Sequence, residues 1–197
     1  SGVGNVIINL LKNFSNSKNR YYLFSTNNTS KKNISNLPVN FIYGIDKINA
    51  MFLLFKEIML CPFSTCKQYF KFKKKIGFPP LRGLLYTVVL KKILNDLKPD
   101  LIHNHSSIFQ EILNYLNYDL KKVVLTYHGI FINDSVALKI NLSKGIDLKK
   151  IYLNTFNLIK NSTFLTPRMQ MDFNEYSDVS KVYTKIISNG INTELFY

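Results

Sequence analysis

Apolar positions follow two periods along this chain. Short unbroken or alternating runs predict strands at Tyr21–Thr26, Val39–Tyr43, Asp100–His103, Lys122–Tyr127, Thr163–Thr166 and Val182–Ser188. Between them, spacings of three and four place apolar residues on single helical faces. Val6, Ile7, Leu10, Leu11 and Phe14 form one such face, and Leu84, Leu85, Val88, Val89, Ile93, Leu94 and Leu97 another. Ile108–Leu116, Ile146–Ile159 and Met169–Tyr176 read as further helices, the last opened by Pro167 at its first position. Asn27–Asn36 and His128–Lys144 read as polar loops, and Asn189-Gly190 as a turn. Strand and helix alternate along most of the length, which predicts βαβ units and an α/β fold with a doubly wound parallel sheet.

Within this pattern, Val123-Val124-Leu125-Thr126-Tyr127-His128-Gly129-Ile130 stands out. An apolar run that stops at a histidine and a glycine reads as a central parallel strand, and ligands of open α/β sheets gather at such carboxyl ends. His128 is therefore the first candidate for chemistry. The preceding strand ends in His103-Asn104-His105, where alternation points both histidines the same way; one of them could equally be a satisfied buried side chain. At the chain start, Ser1-Gly2-Val3-Gly4 runs directly into a helical pattern. A glycine loop opening a helix offers free N–H groups to a phosphate or another anion. The absence of a strand before it suggests that the polypeptide starts inside a domain.

The segment from Met51 to Phe78 admits three readings. Phe52, Leu53, Leu54, Phe55, Ile58, Met59 and Leu60 could form an ordinary core helix, with Lys67–Lys75 as its solvated continuation. Phe and Tyr interleaved with lysines also suit the headgroup region of an acidic membrane surface. Single-stranded nucleic acid, which favours the same residue mixture, is the least favoured partner.

Composition narrows the classes. At 197 residues, 46% apolar and 14% aromatic, the chain can bury a real core and is not a disordered type. Lys and Arg total 26 against 12 acids, a formal charge of +14. Such a field favours an anionic partner, although a lysine-rich compositional bias would produce it equally. Cys61 and Cys66 lack zinc or redox spacing and read as two reduced thiols of a cytosolic protein. No apolar run reaches the roughly 20 residues of a membrane-spanning helix.

Four segments together resemble the amino-terminal domain of family 4 glycosyltransferases of the GT-B fold. Ser1-Gly2-Val3-Gly4 is similar to the family's glycine loop, and Lys98-Pro99-Asp100-Leu101-Ile102-His103-Asn104-His105-Ser106 to one strand end. Val124-Leu125-Thr126-Tyr127-His128-Gly129 is similar to a second strand end, and Ile187-Ser188-Asn189-Gly190-Ile191-Asn192-Thr193-Glu194-Leu195-Phe196 to the segment entering the hinge. The chain departs from the pattern at Ser1, at Asn192 and at Thr166-Pro167-Arg168.

The resemblance implies a Rossmann-like amino-terminal domain over residues 1–188, lacking its first strand, with the interdomain hinge starting at 189–197. It implies a carboxyl-terminal donor domain, missing here, as the partner, on the same or a separate chain. The function implied is transfer of a sugar from a nucleotide-diphosphate sugar to a lipid-linked or glycan acceptor, with retention of configuration and no metal. His128 would be catalytic; Gly2, Gly4, His103, His105, Gly129 and Asn189 would bind substrate. Alone, the chain would be inactive. It would be cytoplasmic, with a peripheral position on the inner face of a membrane left open. The alternatives are a non-catalytic membrane-associated module partnering a donor-binding chain, and a flavodoxin-like nucleotide binder.

Overall fold

The computed structural model describes residues 20–25, 41–44, 46–129 and 134–187. The expected helix from Val6 to Phe14, the glycine loop with Gly2 and Gly4, the Asn27–Asn36 loop, and Asn189 with its turn lie outside the described residues. The chain divides into two compact units, Ser1–Leu53 and Leu54–Tyr197.

In the first unit, β1 (Tyr22–Ser25) pairs in parallel with β2 (Phe41–Gly44), with Tyr22 opposite Phe41 and Ser25 opposite Gly44. Both strands were expected, each within two residues of its observed ends. Asp46 opens helix α1 (Lys47–Leu60): its carboxylate accepts from the Ile48 N–H at 3.0 Å and from the Asn49 amide at 2.7 Å.

Helix α2 (Pro62–Lys71) opens on Pro62 and runs into a π-helical turn, Phe72–Ile76. That turn buries Phe72 and Ile76 while Lys73, Lys74 and Lys75 stay exposed. It closes at Gly77, whose φ of +78° favours glycine. Side chains downstream satisfy its last carbonyls: Lys150 Nζ donates to the Lys74 oxygen, and Asn154 Nδ2 to the Lys75 oxygen at 2.7 Å.

Helix α3 (Pro80–Leu97) carries Gly83 against the Phe72 ring. It ends where Lys98 turns left-handed at φ 44° and Pro99 forbids continuation. Lys91 pairs with Glu57 at 2.7 Å and Lys92 with Asp96 at 2.7 Å.

The second unit is built on four parallel strands in the order β3 (Ile102–Asn104), β4 (Val123–Tyr127), β5 (Asn161–Phe164), β6 (Tyr183–Ile186). Helix α4 (Ser107–Tyr115) connects β3 to β4. Helices α5 (Ser135–Leu142) and α6 (Leu148–Phe156) lie between β4 and β5, and α7 (Pro167–Tyr176) between β5 and β6. This is the Rossmann-like α/β class that the alternation predicts.

Two local expectations need correction. Ser135–Leu142 is helical where a loop was expected: Asp134 caps it by accepting from the Ala137 N–H at 2.9 Å, and no residue of it is buried, which explains the missing apolar stripe. Strand β5 starts two residues earlier than expected. Its register sets Ser162 and Phe164 inward, and Thr166 is taken up as the cap of α7, accepting from the Met169 N–H at 3.3 Å.

Strand β4 is covered along both faces, as a central strand should be: Val123, Leu125, Thr126 and Tyr127 are all buried. Leu125 and Tyr127 enter an aromatic core with Tyr152, Phe156, Phe164 and Phe173. The Tyr127 and Phe164 rings stack with centroids 5.7 Å apart, and Phe173 meets Phe156 edge-on at 4.8 Å. This packing holds the carboxyl end of β4 rigidly in place.

Candidate active site: three histidines at the strand ends

Parallel pairing sets Asn104 opposite Leu125, so the chain leaves β3 beside the last residues of β4. The expected side-chain alternation follows. Asn104 turns inward, where its Nδ2 donates to Gln110 Oε1 at 3.2 Å and its Oδ1 accepts from the Ser106 N–H at 2.9 Å. That bond turns the chain into α4.

His103 and His105 share the other side, with ring centroids 4.3 Å apart. His128, just past β4, closes the group: its centroid lies 5.0 Å from that of His105, and its Nε2 lies 2.7 Å from His105 Nδ1. His103 is held separately. Its Nε2 lies 2.6 Å from Thr126 Oγ1, which is 2.5 Å from Thr163 Oγ1 on the neighbouring strand. Gly129 marks the rim, its carbonyl accepting from the Tyr152 hydroxyl at 3.2 Å.

The electrostatics keep this cluster neutral. Burial, reinforced by the two neighbouring imidazoles, lowers the His105 pKa to about 3. Burial lowers His103 as well, with His128 adding to the effect, and burial alone lowers His128. At neutral pH the 2.7 Å contact is therefore one proton between two uncharged rings. If His105 Nδ1 carries it, His128 must be protonated at Nδ1. If His128 Nε2 carries it, His105 must be protonated at Nε2. Either way the pair offers one outward donor and one outward acceptor, and changing one ring changes the other.

This arrangement suits hydrogen bonding to hydroxyls better than holding a metal. The two facing nitrogens aim at each other, and among the described residues no group of three His, Cys, Asp or Glu side chains could hold an ion. Thus His103, His105, His128 and Gly129 occupy one strand-end region, while Gly2, Gly4 and Asn189 lie outside the described residues. The partner hydroxyls of Thr126 and Thr163 were not anticipated. Their signal was the in-register placement of two threonines on adjacent strands, which needs the β5 register to be known.

Among known families, Glycosyltransferase Family 4 matches residues 1–195. The chain belongs to this family. Searches of curated proteins and of solved structures find no match. Membership of family 4 makes the α/β unit a Rossmann-like domain of the GT-B fold. It also gives the histidine cluster its context, since the ligands of such sheets sit beyond the carboxyl ends of the strands.

Proposed function

We propose that this domain forms the acceptor-side wall of a glycosyltransferase active site. A nucleotide-diphosphate sugar is the donor and a lipid-linked or glycan hydroxyl the acceptor. In the reaction the bond from sugar C1 to the diphosphate oxygen breaks, a bond from C1 to the acceptor oxygen forms, and the acceptor proton leaves with the nucleoside diphosphate or to water. The convergence of His105 and His128 at a parallel strand end of a family 4 domain carries this reading.

His128 is the catalytic residue in this account. Its outward nitrogen hydrogen-bonds a hydroxyl of the reacting sugar or acceptor, and such a bond helps most where charge develops. His105 contacts His128 and sets which of its nitrogens is protonated. Gly129 shapes the rim. Gly2, Gly4 and Asn189 are assigned to substrate binding on the family likeness. Turnover requires a donor-binding domain to complete the cleft.

The test is transfer itself. The protein, alone and joined to a family 4 donor domain, is incubated with UDP-linked and GDP-linked hexoses and a lipid extract, and glycosylated product is followed by mass spectrometry. Product only with the donor domain supports the proposal. Binding of glycan or lipid without product in any combination would favour a non-catalytic binding module.

A further inference from the structure

The least usual surface of the molecule is the outward face of α1. Helical spacing sets Ile48, Met51, Phe52, Phe55 and Met59 on one stripe, and every one of them is exposed, Phe52 at 69% and Phe55 at 62%. Ala50 and Leu54, on the opposite side, are buried. A core helix would show the reverse, so the reading of this segment as an ordinary core helix fails. Beyond the break at Cys61-Pro62, Phe63 is 90% exposed and Phe70 is also open to solvent. Scattered apolar residues on a surface need no explanation, but a continuous stripe of this kind marks an interaction site.

Charge selects the partner. Between Lys47 and Ile76 there are seven lysines and one acid, Glu57, which is already bound by Lys91. The π-helical turn presents Lys73, Lys74 and Lys75 together, anchored by buried Phe72 and Ile76. Lys74 Nζ also lies 5.8 Å from the centre of the exposed Phe70 ring, so ring and cation act at one place.

We infer that, within the second unit, the part of α1 from Leu54 onward, α2 and the lysine turn form a docking surface for an anionic phospholipid bilayer. The stripe enters the acyl boundary while the lysines meet lipid phosphates. Geometry sets the depth. The 14 residues of α1 extend about 21 Å, short of the roughly 30 Å hydrocarbon core. Among the described residues no single helix is long and apolar enough to cross; by length and composition α1 passes only together with the helix that follows, from which it is bent by 117°. The element therefore lies in the interface. A second copy of the chain fits poorly, because each would bring its own +14 charge to the contact. Nucleic acid would engage the lysines and rings but leave Ile58, Met59 and Leu60 uncovered.

Co-sedimentation of the purified chain with phosphatidylcholine vesicles, with and without phosphatidylglycerol, tests this. Partitioning to the anionic vesicles at low salt is expected, with little to the neutral ones. Phe55→Glu with Phe63→Glu should weaken it roughly tenfold or more, as should Lys73→Glu, Lys74→Glu and Lys75→Glu together. The substituted positions are exposed, and circular dichroism checks that each variant is folded. As a second measurement, an environment-sensitive dye on Cys61, in a Cys66→Ser background, should shift to the blue on anionic vesicles. The inference is overturned by no partitioning at low salt, by partitioning that the paired Phe changes leave intact, or by a dimer that those changes dissociate without any vesicle binding. None of these readouts needs a sugar substrate, so failure here leaves the transferase proposal standing.

Discussion

His105 Nδ1 and His128 Nε2 face each other across 2.7 Å, in a cluster that burial keeps uncharged. The contact forces the two rings into the same tautomer, both protonated at Nδ1 or both at Nε2. Long-range ¹⁵N–¹H NMR of the folded chain at pH 7 should show matching tautomers for these residues and no imidazolium. Opposite tautomers, or His105 titrating near pH 6.5, would contradict the arrangement.

Stability should fall as the cluster is acidified. The folded-state pKa of His105 lies at about 3, below its ordinary value of 6.5. Between those values the unfolded chain binds a proton that the folded chain refuses, so stability is fully present above pH 6.5 and declines from there toward pH 3. Glu111, whose carboxyl burial shifts upward despite nearby Lys71, acts in the opposite sense. The difference between the wild type and His105→Gln isolates the histidine. Urea midpoints measured from pH 7.5 to 5 should drop more steeply for the wild type.

Thr126→Val should destabilise the fold by about 1–2 kcal/mol, because it removes the buried hydroxyl that joins His103 to Thr163 and leaves both without their partner. Urea denaturation checks the magnitude. Loss of the hydroxyl should also change the His103 ring signals in the same NMR spectra.

Gly83→Ala tests the packing beneath the lysine turn. An alanine in a helix interior normally gains up to about 1 kcal/mol over glycine. Here the added Cβ would sit 2.7 Å from ring carbons of Phe72, a fully buried side chain. A net loss of about 1–3 kcal/mol is expected from overpacking. A variant with a raised unfolding midpoint would show the ring to be more mobile than this packing allows.

Much of the fold was legible because period and punctuation agree. The run from Val123 to Tyr127 could only be a covered strand, and Pro80, Pro99 and Pro167 mark helix ends that no packing could override. The histidine cluster was half legible. Strand alternation predicts that His103 and His105 share a side, and parallel topology predicts that His128 ends nearby. The Thr126–Thr163 contact behind His103 depends on the register of β5, which its residue pattern left two positions adrift. Helix α5 was missed because it buries nothing and so carries no periodic signal. The outward face of α1 was legible only as one of three open readings. Ile48, Met51 and Phe55 are apolar whether a core or a membrane covers them, and only their exposure separates the two.

The central claim is that His128 acts in sugar transfer. Nucleoside-diphosphate release from UDP-linked and GDP-linked hexoses, measured on the protein with its donor domain in place, tests it most directly. His128→Ala should lower kcat by roughly a hundredfold or more while leaving the unfolding free energy from urea denaturation within about 1 kcal/mol of wild type. A His128→Ala protein that is folded and turns over donor at the wild-type rate would contradict the account.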